Sequence, residues 1–325
     1  MKPYTIGIDL GGTNIKAAIF GHEYKTLVER SVPTEAAMGP DQVLQRIVET
    51  IKEMAQSASI PLSAVRCMGM GIPGLLNPQE GLSIFSPNFP NWENIHVVNR
   101  MKAVFDFPTF IDNDVRVNLY GEWRFGSGAG YRNVVLLTLG TGLGSGIVND
   151  GKVVYGTTSS AGEIGHMNMY REGRPCRCGS SGCLGRYVSA VGMVNTMKER
   201  LEAGEPSIVQ QWTDHDSNGI TAKMISEAYD EGDQVAIDVM QETGKILGFG
   251  LSNVINLFNP EIVIIGGGMS AAGDRLLHTV RETIAGHALK LAREACIVQQ
   301  ARLGGNAGMI GAAVYANERL EADDE

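Results

Sequence analysis

Residues 4–20 read YTIGIDLGGTNIKAAIF, and residues 134–151 read VVLLTLGTGLGSGIVNDG. In the first stretch Ile6 and Ile8 alternate towards Asp9, Gly11-Gly12-Thr13 turns the chain, and Ile15 to Phe20 returns as a strand. In the second, Val134 to Leu139 is a strand, Gly140-Thr141-Gly142 the turn and Leu143 to Val148 the return, with Asn149-Asp150-Gly151 as a hairpin turn. One arrangement, a strand, a Gly-Thr turn and an antiparallel return, thus occurs twice, about 130 residues apart. Duplicated α/β halves would place a nucleotide between their matching turns; two unrelated hairpins are the simpler alternative.

Outward from these stretches, Val43, Leu44, Ile47, Ile51 and Met54 recur at helical spacing and predict a helix over 40–58. An apolar run from Val65 to Met70 precedes Gly71 and Gly74, and Thr109 to Ile111 is a short strand that delivers Asp112-Asn113-Asp114. A long helical pattern through Val235, Val239, Ile246 and Phe249 stops at Asn259-Pro260. The strand Ile262 to Ile265 then ends in Gly266-Gly267-Gly268, and Leu303 to Gly308 opens a last helix. Strand-end loops without side chains let backbone N–H groups reach a phosphate. One such loop is weak evidence, and three are much stronger.

The chain has 325 residues, which suggests two domains. Its 27 Lys+Arg against 36 Asp+Glu leave a net charge of −9, the wrong sign for a nucleic-acid footprint. At 43% hydrophobic and 19% charged it is a globular composition rather than a disordered one. No apolar run is long enough for a membrane span, and the N-terminus enters a strand without a signal-peptide core. A soluble cytoplasmic protein is expected. There is no P-loop, and Gly140 to Gly146 lacks the spacing of a dinucleotide fingerprint. Three of the five cysteines, Cys176, Cys178 and Cys183, lie within eight residues, and His166 precedes them by ten. That Cys₃His set suits a tetrahedral, structural zinc better than a disulfide in a reduced cytoplasm.

Taken together, Asp9-Leu10-Gly11-Gly12-Thr13, Asn113-Asp114, Leu139 to Gly142, Glu163-Ile164-Gly165-His166 and Cys176-x-Cys178-Gly179-x-x-Gly182-Cys183 occur in the order found in ROK sugar kinases. The chain resembles that family over nearly its whole length, in particular bacterial glucokinases. The resemblance implies an actin-like ATPase (ribonuclease H-like) fold, two α/β domains around a central cleft. The expected domains are residues 1–115 plus 308–325, and 116–307 with the zinc loop. It implies ATP-dependent phosphorylation of the 6-hydroxyl of a hexose, glucose first, by a homodimer or higher homo-oligomer without nucleic-acid or membrane partners.

By position, Asp114 matches the family's catalytic base, a role typically worth about 10²–10⁴-fold. Asn113, Asn88, Glu163 and His166 match hexose-binding positions, although Asn-Asp at a strand end is equally a helix cap. His166 would ligate metal through one nitrogen and donate to the sugar through the other. Asp9 would hold the nucleotide's Mg²⁺ through water. Gly11, Gly12, Thr13, Gly140, Thr141 and Gly142 would contact the phosphates, and Gly266 and Gly267 the nucleotide. Lys16 either assists there or is a surface charge, and Trp92 is either a packing residue or a sugar platform. One residue departs from the pattern. The family carries Glu two residues after the last Cys, where this chain has Gly185. The gap weakens the glucose expectation and leaves room for another hexose, or for one substituted at the anomeric carbon, such as a β-glucoside. A catalytically silent sugar sensor is the competing class. The helix-turn-helix of the family's repressors is not expected before a phosphate loop that begins at Asp9.

Overall fold

A computed structural model describes residues 2–86 and 89–324. The chain divides into two compact units, 1–130 with 155–161 and 302–325, and 131–154 with 162–301. In the first unit the sheet runs Thr26–Pro33, Asn14–Phe20, Tyr4–Leu10, Val65–Ile72, Thr109–Asn113. The first three strands are antiparallel, and the last two lie parallel to Tyr4–Leu10. In the second unit the order is Lys152–Val153, Leu143–Asn149, Val134–Leu139, Ile262–Gly266, Ile297–Gln300, with the same senses. The repeat legible in the two hairpins is therefore a repeat of whole five-stranded sheets.

Each sheet buries apolar side chains because successive residues face opposite sides. In the first unit Ile6 and Ile8 join Val43, Leu44, Ile47, Ile51 and Met54 of the helix Pro40–Ser57 in one core. Gly7 points the other way, towards the C-terminal helix Ala307–Asp324. Gly7 and Gly69 are paired across neighbouring strands. A Cβ on Gly7 would sit 1.9 Å from the Met309 carbonyl oxygen, and one on Gly69 1.8 Å from that of Ala312. The helix thus lies with its backbone directly on the sheet. A side-chain rotation cannot relieve that clash, so Gly69→Ala is expected to cost about 3 kcal/mol or more. A thermal midpoint lowered by roughly 6 °C or more in calorimetry is the expected reading, and an unchanged midpoint would contradict this packing.

In the second unit the helix Gln234–Phe258 runs through the core and ends where Asn259 adopts φ +43° ahead of Pro260. Residues 116–130, 155–161 and 302–307, expected in the second domain, sit in the first unit. The reason is backbone contact: a Cβ on Gly121 would lie 2.2 Å from the Ala307 carbonyl oxygen, and one on Gly311 1.6 Å from that of Val117. The helix Asp114–Phe125 is thereby joined to the C-terminal helix. Among the described residues no helix is long and apolar enough to cross a membrane.

Candidate active site

In the first unit, the register of the parallel strands sets Asp9 beside Gly71, and Gly71 beside Asp112. A Cβ on Gly71 would meet the Val117 side chain at 2.3 Å and the Asp114 Cα at 3.4 Å. The missing side chain lets the first turn of the helix Asp114–Phe125 settle against the strand end. Asp9 and Asp114 consequently face one another electrostatically. Burial first, and then the Asp114 charge, push the Asp9 carboxyl up to about 7, and Lys16 opposes the rise. A buried carboxyl whose pKa is raised beside a second carboxylate has the character of a site awaiting a cation or a proton.

The corner before Asp114 is tightly held. Asn113 is the N-cap of the helix, its Oδ1 accepting from Val115 N and Arg116 N at 2.9 and 3.4 Å. Its Nδ2 donates to the Gly74 carbonyl at 3.2 Å, leaving one amide hydrogen for a ligand. Of the two readings of Asn-Asp, the structure shows the helix cap. Asp112 is fully buried. Its Oδ1 accepts from Asn113 N at 2.7 Å and Arg116 Nε at 2.6 Å, and its Oδ2 from the Tyr155 hydroxyl at 2.7 Å. Burial holds the Tyr155 hydroxyl above its usual pKa, so it stays a donor.

The turn 11–13 is closed by Gly11 N donating to Asn14 O at 3.0 Å. Buried Thr34 pins it, its hydroxyl on Gly11 O at 2.7 Å and its N–H on Thr13 O at 2.8 Å. Lys16 pairs with Asp9 across the hairpin and donates to Gly305 O at 3.1 Å, so its ammonium belongs to this corner.

In the second unit the glycine turns converge. Gly267 has φ +79°, and a Cβ there would lie 2.4 Å from Leu139 O, so the 266–267 loop rests on the strand end that opens Gly140-Thr141-Gly142. An added Cβ at Gly140 or Gly142 would meet nothing within 4 Å. That turn is open to a ligand. Ser145 fixes the segment carrying Glu163, donating to Gly162 O and accepting from Ile164 N. His166 turns Nδ1 towards Cys176 Sγ at 3.7 Å and Nε2 towards Glu163 Oε2 at 4.0 Å. The two ring nitrogens of His166 thus face different neighbours.

The ligand atoms of His166, Cys176, Cys178 and Cys183 all lie within 4.8 Å of one another. Cys178 Sγ and Cys183 Sγ are 3.7 Å apart. Tetrahedral zinc with Zn–S bonds of about 2.3 Å holds its sulfurs about 3.8 Å apart, so the donor set fits that ion in chemistry and in spacing. Trp92 is a packing residue, buried against Phe89 and donating to Ser83 Oγ at 2.8 Å. Asn88 lies outside the described residues.

Sequence reasoning gave no role to Asp112, which it named only as the start of Asp112-Asn113-Asp114, nor to Thr34, Ser145, Arg116 and Tyr155. Of these last four, Ser145 carried a signal, its place inside the glycine run 140–146.

Paired five-stranded sheets with glycine turns at their hairpins and two carboxylates at adjoining strand ends are the marks of a phosphoryl-transfer scaffold. The chain belongs to the ROK family, whose model matches residues 5–319. It is 34% identical over 321 residues to a glucokinase of Streptomyces coelicolor, covering 97% of this chain and 98% of that one. The solved ROK family glucokinase of Streptomyces griseus, in complex with glucose and AMPPNP, superimposes with a TM-score of 0.81 at 32% identity, over 97% of this chain and 99% of that one. A ROK family transcriptional regulator, a homologue of the E. coli MLC protein, superimposes at 0.85 with 30% identity, over 97% of this chain and 78% of that one. The fold is that of ROK glucokinases.

Proposed function

We propose that this chain is a cytoplasmic, homo-oligomeric ATP:hexose 6-phosphotransferase, with glucose as its first substrate. The observation that carries the reading is the Asp9–Asp114 pair over Gly71, where burial first and the Asp114 charge second raise the Asp9 pKa to about 7. Likeness to glucokinases at 32–34% identity over nearly the whole chain supports it.

In this reading Asp114 accepts the proton of the hexose 6-hydroxyl as that oxygen bonds to the γ-phosphorus, and the bond from phosphorus to the bridging oxygen breaks to release ADP. The phosphoryl group passes through a loose transition state, so positioning and charge do most of the work. Gly11, Gly12, Thr13 and Lys16 serve the phosphates, as do Gly140, Thr141 and Gly142, and Gly266 and Gly267 serve the nucleotide. Asp9 would hold the nucleotide's Mg²⁺, and the ion would neutralise phosphate charge when bound. Asn113, Glu163 and His166 bind hexose hydroxyls, with Asn88 as a further contact. His166, Cys176, Cys178 and Cys183 hold a structural zinc, which ties the cysteine loop to the segment bearing Glu163.

Gly185 favours a second reading, in which the preferred hexose is another one or carries an anomeric substituent. A Cβ there would come within 3.3 Å of the Gly165 carbonyl oxygen and 3.4 Å of the Leu143 Cβ, so a side chain enters only if these neighbours give by a few tenths of an ångström. An ADP-release assay over glucose, mannose, N-acylated hexosamines and β-glucosides tests both readings. No turnover on any of them would leave the silent sensor standing. Gly185→Glu is expected to lower the glucose KM about 10–100-fold, the worth of one charged hydrogen bond, and to cut turnover of β-glucosides. An unchanged preference would remove Gly185 from the specificity of the site.

A further inference from the structure

The chain passes between the two units four times, after Gly130, Val154, Ala161 and Ala301. On the first unit's side, every one of these connections is tied to the helix Asp114–Phe125 or to Asp112 just before it. Glu122, buried near the end of that helix, accepts from Ser127 N at 2.9 Å, Arg302 N at 3.1 Å and Leu303 N at 2.6 Å. Asp112 accepts from Tyr155. Arg116, one turn into the helix, donates through Nε to Asp112 and through its terminal nitrogen to Ser159 O at 2.7 Å, with its guanidinium 5.0 Å from the Tyr155 ring centre.

Stability alone does not account for the Arg116–Asp112 pair. Its side chains are 8% and 0% exposed, and the desolvation of such a pair commonly offsets its attraction, so an uncharged pair would hold the fold as well. What a guanidinium adds is direction, because its donors leave in a rigid plane and fix two acceptors at once. One acceptor here is the carboxylate that also binds the backbone of Asn113, the residue before Asp114. The other lies in the connection 155–161.

We propose that Arg116 is a positioning residue for phosphoryl transfer, locking the Asn113–Asp114 corner to the Tyr155–Ala161 connection through Asp112 and Tyr155. The role at the reaction rests on the kinase reading above. The lock itself does not.

The decisive variant is the double substitution Asp112→Asn with Arg116→Met, which removes both charges and leaves neither buried alone. Its thermal midpoint is expected to stay within about 4 °C of the parent. Its kcat should fall about 10²-fold, the scale of an ångström of misplacement, while KM for hexose and ATP move little. Arg116→Lys, which keeps charge without the fork, should recover part of kcat, and Tyr155→Phe should lose a smaller part. Hydrogen exchange read on peptides spanning 112–118 and 155–161 should quicken in both together. A stable double variant with parental kcat and parental exchange overturns the proposal. An inactive parent removes the kinase reading and the catalytic half of the proposal, and exchange then decides the lock alone.

Discussion

Asp114→Asn is expected to lower kcat by about 10²–10⁴-fold, the contribution of a positioned base, with hexose binding and fold retained. The substitution is nearly isosteric and leaves the Asn113 cap and the Gly71 contact in place. It removes the carboxylate proposed to accept the hexose proton while leaving the surrounding corner in place. A second signature accompanies the loss. Burial and the Asp114 charge raise the Asp9 pKa in the folded state to about 7, above the ordinary 3.8, so between those values the folded state holds more protons than the unfolded one. Its contribution to stability is full below about pH 4 and is lost as pH rises towards 7. Taking away the Asp114 charge lessens that loss. Asp114→Asn should therefore be more stable than the parent at pH 8 and indistinguishable from it at pH 4. Turnover, hexose titration and thermal melts at both pH values check the set, and near-parental turnover would sink the assignment of the base.

Removal of zinc is expected to have the other large effect. Metal analysis should find about one zinc per chain, and prolonged chelation should abolish hexose turnover while disordering the loop 175–182. Arg174, bonded to Arg186 O, Gly192 O, Thr196 and Glu199, and buried Cys183 and Leu184 anchor the two ends of that loop, which itself has little regular structure. Sheet-like pairing around it is limited to the isolated bridges Asn168–Cys183 and Pro175–Ser181, joined by turn hydrogen bonds such as Cys176 N to Ser180 O at 2.8 Å. Structural zinc supplies roughly 10–16 kcal/mol in small zinc-bound peptides, more than such turns can replace. Because Glu163 and His166 lie 4.0 Å apart at the edge of the cluster, KM for hexose should rise far more than KM for ATP as zinc is withdrawn. Cys183→Ser, at a buried ligand, should reproduce the effect without chelator. A metal-free chain with intact hexose affinity would show that the loop stands on its own.

Much of the architecture is local and therefore readable along the chain. The two hairpins declare themselves by alternation and by Gly-Thr turns, and the structure places strands at Tyr4–Leu10 and Asn14–Phe20, and again at Val134–Leu139 and Leu143–Asn149. The 3.6-residue period of Val43 to Met54 becomes the helix Pro40–Ser57, and Asn259-Pro260 ends the long helix because the pair favours a left-handed cap and forbids continuation. The Cys₃His cluster is equally legible, since three of its members are close neighbours in one loop. Harder to read was the role of Asn113-Asp114, where cap and site look alike in a sequence and the structure shows the cap.

By itself, then, the sequence determined the repeated strand-turn-strand units, the helix borders and the Cys₃His cluster, all of which depend on neighbours a few residues away. Only the tertiary structure decided that Asp9 meets Asp114 over Gly71, and that Arg116 reaches Ser159 and Glu122 reaches Arg302, 43 and 180 residues further along. The physical reason is that strand register and backbone-to-backbone helix packing are set by the whole core at once. No periodicity within either partner records them.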